Sequence, residues 1–160
     1  MIERLSKKNV IDVWEFVQRI RDRFQDFYIT RDNQRIFLND EYLIGKLLDK
    51  QEVYSIYDKG IKGLMIVYKE KGYRPYIKIL TESRSAESSL IKYLMMNFSE
   101  QDLYIKVKKE NPLAKYIRYF GFIQQGDRGL EVLLFRKGIR ILHKMLPKDL
   151  LMEDDSQRLY

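Results

Sequence analysis

The sequence predicts an α/β domain in which helices flank a mixed, mostly antiparallel sheet. Two periodicities of the hydrophobic residues predict this class: alternation marks short strands, and spacings of three and four residues mark amphipathic helices. The predicted strands are residues 53–57, 64–68, 75–80, 103–107, 122–125 and 130–136. In chain order, two helices precede three strands, which are followed by a helix, a strand, a short helix and two closing strands.

Composition narrows the class of protein further. The chain has 160 residues, 45% of them hydrophobic and 13% aromatic, which is typical of one folded domain and argues against disorder. Its apolar runs are far shorter than the ~20 residues that a helix needs to cross a bilayer, and its charged N-terminal residues precede no apolar signal segment. The absence of cysteine excludes disulfides, thiolate zinc sites and cysteine nucleophiles. We therefore expect a cytoplasmic protein.

The first 50 residues predict two amphipathic helices. Asn9 is a suitable N-cap for the first, whose apolar positions recur at spacings of three and four. These positions are Val10, Val13, Trp14, Val17 and Ile20. The second helix begins near Asn39 or Asp40 and ends by Lys50. Residues 24–29 either continue the first helix or start a strand, and the sequence leaves both open.

A hairpin and a further strand follow. Asp58, Lys59 and Gly60 supply the turn between the strands at 53–57 and 64–68. A second turn at residues 69–72 leads to the strand at 75–80. Since a polar segment then ends the strand, a change of structure is expected after residue 80.

The central helix begins near Ala86, with Ser83 or Ser85 as its N-cap. Its apolar positions are Leu90, Ile91, Leu94, Met95 and Phe98. The passage from the strand at 75–80 through this helix to the strand at 103–107 predicts a right-handed parallel crossover. Ligands of such sheets bind where the carboxyl ends of neighbouring strands part.

The last predicted helix has strong start and stop signals. Asn111 is its N-cap and Pro112 its first residue, while Gly121 ends it. Its core face is Leu113, Ile117 and Phe120. A tight turn at residues 126–129 then joins the closing strands at 122–125 and 130–136.

The segment from residue 103 to residue 136 carries a family resemblance. Its strand, short helix and closing hairpin, with Asn111, Ala114, Gly121 and Phe122 at their positions, resemble the GNAT superfamily of N-acetyltransferases. The element order extends the resemblance over about residues 1–137, although one residue fewer separates the Asn from the Gly than in most members. It implies transfer of an acetyl group from acetyl-CoA to an amine by a GNAT-like domain at residues 1–137, followed by a basic amphipathic C-terminal tail at 138–160.

The resemblance also implies where the cofactor binds. In the family, an Arg or Gln followed by two glycines holds the pyrophosphate at the start of the central helix. The corresponding residues 82–89 contain no glycine. The implied cofactor-binding residues are Leu80, Thr81, Arg84, Ser85, Ala86, Ser88, Ser89 and Asn111. Two interpretations stay open: the serines and Arg84 bind acetyl-CoA, or Ser85 and Glu87 only cap a helix and nothing is bound.

Three residues are the candidates for catalysis. The family often uses a tyrosine four residues before the Gly to protonate the leaving thiolate, and this position is Ile117 here. Tyr116 and Tyr119 bracket it, so both are candidates, with surface aromatics as the alternative. Glu82 is the candidate base, with a helix-capping or solvated role as the alternative. Both Glu82 and Glu87 would disfavour a phosphate within ~4–6 Å.

Charge and the tail suggest partners without identifying them. The net charge is 30 − 23 = +7, which attracts phosphate-rich molecules and leaves a nucleic-acid partner open. Residues 138–151 combine apolar and basic positions, which suits a protein partner, self-association or packing onto the domain itself. The alternative function is therefore a catalytically inactive GNAT-fold binding or structural module, for example a phage virion or assembly component, located within a virion.

No metal site is predicted. His143 is the only histidine and has no nucleophile or second ligand at a useful spacing. The acidic run of Glu153, Asp154 and Asp155 lacks the spacing of a coordination set.

Overall fold

A computed structural model describes residues 1–21, 27–31, 34–128 and 131–138. The strands are β1 (Ile2–Arg4), β2 (Tyr28–Arg31), β3 (Gln34–Phe37), β4 (Glu52–Tyr57), β5 (Ile61–Tyr68), β6 (Tyr76–Thr81), β7 (Leu103–Lys108), β8 (Ile123–Arg128) and β9 (Glu131–Arg136). The helices are α1 (Val10–Ile20), α2 (Glu41–Lys50), α3 (Arg84–Asn97) and α4 (Leu113–Tyr116), with 3-10 turns at Lys7–Asn9 and Ile117–Phe120.

Seven strands form one mixed sheet in the order β1-β4-β5-β6-β7-β9-β8, and β2 and β3 form a separate two-stranded ribbon. Neighbours in the large sheet are antiparallel except β6 and β7, which are parallel. The parallel pair follows from the crossover through α3, as the sequence predicts. The predicted α/β class with a mixed, mostly antiparallel sheet is confirmed.

Local side-chain caps fix the starts of two helices. The Asp40 carboxylate accepts a hydrogen bond from the Leu43 amide at 2.8 Å, which starts α2. The Ser83 hydroxyl accepts from the Ala86 amide at 3.1 Å, so Ser83 rather than Ser85 caps α3. The N-terminus of α3 therefore follows the end of β6 after only two residues.

The sheet separates two apolar cores. One core contains α1, α2 and the inward residues of β4, β5 and β6, including Leu64, Ile66 and Leu80. The other contains α3, α4 and residues of the opposite face, among them Ile77 and Ile105. Burial alternates strictly along β7, so one face of this strand is buried in a core and the other is half-buried.

The closing strands differ from the prediction. The glycine-rich stretch at 126–129 predicts a turn, but β8 continues to Arg128, with Gly126 opposite Leu133 and Arg128 opposite Glu131. The register shifts between Gln124 and Gly126, so one extra residue is absorbed inside the strand. Residues 129 and 130 lie outside the described part of the chain.

The last helix is shorter than predicted. It is α-helical for only four residues, and Ile117–Phe120 tightens into a 3-10 turn. Pro112 precedes the helix instead of being its first residue, while the Asn111 side chain accepts from the Leu113 amide at 2.9 Å. Gly121 has a left-handed φ of 88°, which confirms it as the stop signal.

The ends of the chain leave several predictions untested. Apart from Gly138, whose amide donates to the Asp102 carboxylate at 2.9 Å, the predicted tail lies outside the described residues, as do His143 and the acidic run at 153–155. No helix in the described ranges is long and apolar enough to cross a membrane.

Candidate active site

The parallel strands β6 and β7 are paired only near their starts. In the described structure they share one register pair, Ile77 with Ile105, near their starts. Their remaining residues therefore do not close a ladder, whereas β5 and β6 pair along their whole shared length. An opening between two parallel strands at the start of a helix is the place where the sequence predicts ligand binding.

Most of the predicted cofactor residues lie at the end of β6 and in the first two turns of α3. Leu80 and Thr81 are buried at the end of β6. Arg84 and Ser85 are exposed in the first turn of α3, Ser88 and Ser89 are half-buried, and Ala86 is buried. The first amides of an α-helix have no partner within the helix, and in α3 the Ser83 cap already occupies the amide of Ala86. The two amides before it, at the first two helical positions, are the ones suited to an anion.

Arg84 connects α3 to α4. Its guanidinium carbon lies 4.1 Å from the centre of the Tyr116 ring, a cation–π distance. Its Nε lies 3.6 Å from Oε1 of Glu87, one turn along the helix. Arg84 is therefore held at the opening by a ring on one side and a carboxylate on the other.

Glu87 is an unusual carboxyl group. Its residue is buried, and burial raises the pKa of Glu87 from 4.5 to about 7, with Arg84 acting in the opposite direction. A carboxyl that is only partly ionised at neutral pH repels a phosphate less than the fully ionised group that the sequence predicts. Sequence periodicity does not reveal this burial, because Glu87 lies in a polar segment.

The predicted residues of the last helix divide into two environments. Tyr116 is half-buried and packs edge-on against Phe120, with ring centres 5.5 Å apart. Tyr119 is 87% exposed. Asn111 caps the helix start and also lies at the carboxyl end of β7. Of the two tyrosines, Tyr116 is the one that reaches α3.

Glu82 lies directly after β6 and is held in place by two cations. Its Oε1 accepts from the Arg19 Nε at 2.7 Å, and its Oε2 lies 3.7 Å from the Lys62 Nζ. Arg19 also donates from Nη2 to the Ile61 carbonyl at 2.9 Å, which fixes its orientation. The carboxylate remains partly exposed, at 27%, so it is oriented without being sealed from solvent.

A second polar cluster, which the sequence does not predict, lies on the face of the sheet that α1 and α2 cover. It consists of Tyr28, Lys78 and Glu131. The Tyr28 hydroxyl donates to Oε2 of Glu131 at 2.5 Å, and the Lys78 Nζ lies 3.8 Å from the same oxygen. The Lys78 Nζ also lies 3.2 Å from the centre of the Tyr28 ring. The lysine and glutamate side chains are only 11% and 13% exposed.

Two further cation–π contacts lie near this cluster. The Lys106 Nζ lies 4.1 Å from the centre of the Tyr76 ring, and the Arg35 guanidinium carbon lies 5.6 Å from that of Tyr28. These contacts are weaker than the Lys78 contact because the distances are longer. In the ranges that the structure covers, no group of three or more His, Cys, Asp and Glu residues is arranged to hold a metal ion.

Comparison with solved structures identifies the fold. The GNAT domain of S. lividans PAT matches with a TM-score of 0.64 at 12% identity, covering 84% of this chain and 88% of that one. An N-acetyltransferase from Staphylococcus aureus Mu50 matches with a TM-score of 0.62 at 18% identity, covering 86% and 96%. The ribosomal-protein-S5-alanine acetyltransferase of Vibrio fischeri matches with a TM-score of 0.59 at 10% identity, covering 86% and 92%.

Comparison of the sequence with protein families and with curated proteins finds no match. No protein-family model matches the chain, and no curated protein matches it. At identities this low, the structural likeness establishes the fold and leaves activity to be argued from the site. The chain has the GNAT acetyltransferase fold, as the sequence predicts.

Proposed function

We propose that the protein is an N-acetyltransferase that transfers an acetyl group from acetyl-CoA to an amine. The observation that carries the proposal is the opening between β6 and β7, which lies beside the N-terminus of α3 and is flanked by Arg84. The fold supports the proposal by analogy, since the solved structures with this fold bear the names of acetyltransferases.

The residues present fit a diphosphate despite the missing glycines. The first two amides of α3 and the Arg84 guanidinium supply donors and positive charge. Ala86, Ser88 and Ser89 are small, so they leave room near the backbone. The burial of Glu87 raises its pKa to about 7, so the group is only partly ionised at neutral pH and repels a phosphate less than a fully ionised carboxylate would.

The chemistry requires an oriented amine and a route for its proton. Acetyl-CoA supplies an activated acetyl thioester. Glu82 is the proposed base, because it follows β6 directly and Arg19 fixes its carboxylate. Tyr116 is the proposed proton donor to the leaving thiolate, because its half-buried ring lies against Arg84. Tyr119, the other predicted candidate, is far more exposed.

The acceptor is proposed to approach from the face that α1 and α2 cover. The cluster of Tyr28, Lys78 and Glu131 lies on this face, whereas the α3 start and α4 flank the opening from the other face. The amine and the thioester would then approach from opposite faces of the sheet and meet in the opening between β6 and β7.

A second candidate function rests on the same segment, residues 82–89 at the start of α3. Arg84 is engaged by Glu87 and Tyr116, and Ser83 caps the helix, so the Arg84 guanidinium and the Ala86 amide have partners without any ligand. This favours an inactive GNAT-fold binding or structural module. Self-association or partner binding through residues 138–151 belongs to this alternative, whereas binding to nucleic acid is a separate hypothesis that rests on the net charge of +7 alone.

Titration with acetyl-CoA separates the two functions. A rise in melting temperature that saturates with acetyl-CoA supports the transferase, because a ligand that binds only the folded state stabilises it. Arg84→Gln should reduce the rise, and Lys92→Gln, on the exposed side of α3, is the matched control. No shift at millimolar acetyl-CoA would favour the binding module.

A further inference from the structure

Lys78 is a buried lysine at the point where the two parallel strands part. We propose that it is a self-acetylation site, to whose Nζ the protein transfers the acetyl group of acetyl-CoA. The inference rests on the proposed function, since it needs acetyl-CoA in the opening between β6 and β7. The residue follows Ile77, which forms the register pair with Ile105. Its backbone therefore borders the opening.

The surroundings of Lys78 are those of a bound ammonium substrate. An aromatic ring face and a carboxylate are the two groups that recognise an ammonium ion most strongly in proteins. The Tyr28 ring centre lies 3.2 Å from the Lys78 Nζ, and the Glu131 carboxylate lies 3.8 Å from it. The chain's own lysine thus occupies the position that an external amine would take.

The ion pair also crosses the opening. Lys78 belongs to β6 and Glu131 to β9, and β7 lies between these strands in the sheet. An ion pair that joins β6 to β9 must therefore pass above both β7 and the gap beside it. The Lys78 side chain therefore begins at the edge of the gap in which the thioester is proposed to lie and extends across β7, on the acceptor side of the sheet.

The reaction balances with the groups at hand. The Glu131 carboxylate takes one proton from the Lys78 ammonium, which frees the nitrogen lone pair. This lone pair forms an N–C bond to the thioester carbonyl carbon, and the C–S bond breaks with its electrons going to sulfur. The second proton of the nitrogen goes to the thiolate, and Glu131 releases its proton to solvent. The products are acetyl-lysine, the free thiol of CoA and one proton.

Peptide mass spectrometry of the folded protein after incubation with acetyl-CoA tests the proposal. We expect acetylation of Lys78 to exceed that of the exposed lysines Lys71 and Lys92 by about tenfold or more, because the thioester is held next to it. The same protein unfolded in urea should lose this preference. Lys78→Arg should abolish the excess, while Lys106→Arg, on the neighbouring strand and the same face, should retain it.

Measuring acetyl-CoA binding as well as acetylation distinguishes a failure of the self-acetylation proposal from a failure of the proposed function. Thermal-shift titration with CoA and acetyl-CoA, on wild type and on Lys78→Arg, reports binding independently of transfer. If acetyl-CoA binds but Lys78 is acetylated no more than Lys71 and Lys92, the self-acetylation proposal is overturned and the proposed function survives. If acetyl-CoA does not bind, both are overturned. Lys78→Met is a second variant in case the arginine is not accommodated.

Discussion

The first residue of α3 and the last residue of α4 are in contact: the Arg84 guanidinium carbon lies 4.1 Å from the centre of the Tyr116 ring. This contact joins the two helices that flank the opening between β6 and β7. It also gives Tyr116 a role that does not depend on its hydroxyl, because the ring alone attracts the cation.

Substitutions of Tyr116 separate the ring from the hydroxyl. We expect Tyr116→Leu to weaken acetyl-CoA binding by about two- to fivefold, which corresponds to the ~0.5–1 kcal/mol of an exposed cation–π contact. Tyr116→Phe should leave the affinity unchanged but lower kcat, because the ring is kept and the proposed proton donor is lost. Isothermal titration and steady-state kinetics measure the two effects. Equal affinities for the Leu and Phe variants would show that the ring does not position Arg84.

The sequence predicts the parts of the fold that depend on local signals. Asp40 and Ser83 cap helices as predicted, since a cap is decided by a residue and its next three neighbours. The turn predicted from Gly126 is wrong. The conformational freedom of this glycine favours a turn, but its pairing with Leu133 extends the strand. The strand β1 and the ribbon of β2 and β3 are too short for their periodicity to stand out.

The candidate site is predictable only in part, because some of its contacts join residues that are far apart in the sequence. The residues around α3 follow from the family resemblance, which concerns a continuous segment. The hydrogen bond from Tyr28 to Glu131 joins residues 103 positions apart, and no local pattern predicts such a pair. Lys78 reads in sequence as one polar position of an apolar strand, and only the sheet order brings it to Glu131.

Glu87 gives the stability a defined dependence on pH. Its folded-state pKa is raised from 4.5 to about 7, so the folded state favours the protonated form. The contribution of Glu87 to stability is therefore fully present below pH 4.5 and is lost as the pH rises through 7, by at most about 3–4 kcal/mol. Glu87→Gln should remove this loss and be more stable than wild type above pH 7. Urea unfolding at several pH values measures it.

The control for this prediction is Glu110→Gln, an exposed carboxylate in the turn after β7. This variant should retain the loss of stability that Glu87 causes between pH 4.5 and 7. A Glu87→Gln profile that falls between pH 4.5 and 7 as steeply as the wild-type profile would mean that another group titrates there.

Gly63 should be intolerant of any side chain. A Cβ at this position of β5 would lie 2.9 Å from Cγ2 of Thr81 and 3.0 Å from Cδ1 of Leu90. Such crowding in a packed core typically costs about 1–3 kcal/mol, so Gly63→Ala should destabilise by this amount. Gly126→Ala, at a position with no neighbour within 4 Å among the described residues, is the matched control and should be nearly neutral. Chemical denaturation compares them, and equal stabilities would contradict the packing.

The protein should be more stable when the hydroxyl of Ser55 is removed. The side chain is fully buried, and its oxygen has no hydrogen-bond partner in the described part of the chain. Because an unsatisfied buried hydroxyl costs about 1–3 kcal/mol, Ser55→Ala should stabilise by up to about 1 kcal/mol after the lost packing is counted. Val53→Ala, on the same strand and in the same core, should destabilise. Destabilisation by Ser55→Ala would indicate that the hydroxyl has a partner after all.

Glu82 is the proposed base, and its substitution should affect turnover more than stability. Glu82→Gln should lower kcat by about 10²-fold or more, which is the usual effect of losing a general base. The melting temperature should change little, because partly exposed ion pairs such as those with Arg19 and Lys62 contribute about 0–1 kcal/mol. Glu52→Gln is the matched control, since Glu52 is also 27% exposed and pairs with Lys69 at 3.7 Å. Unchanged kcat with unchanged acetyl-CoA affinity would remove Glu82 from the mechanism, because the carboxylate would then serve only to anchor α1 to the end of β6.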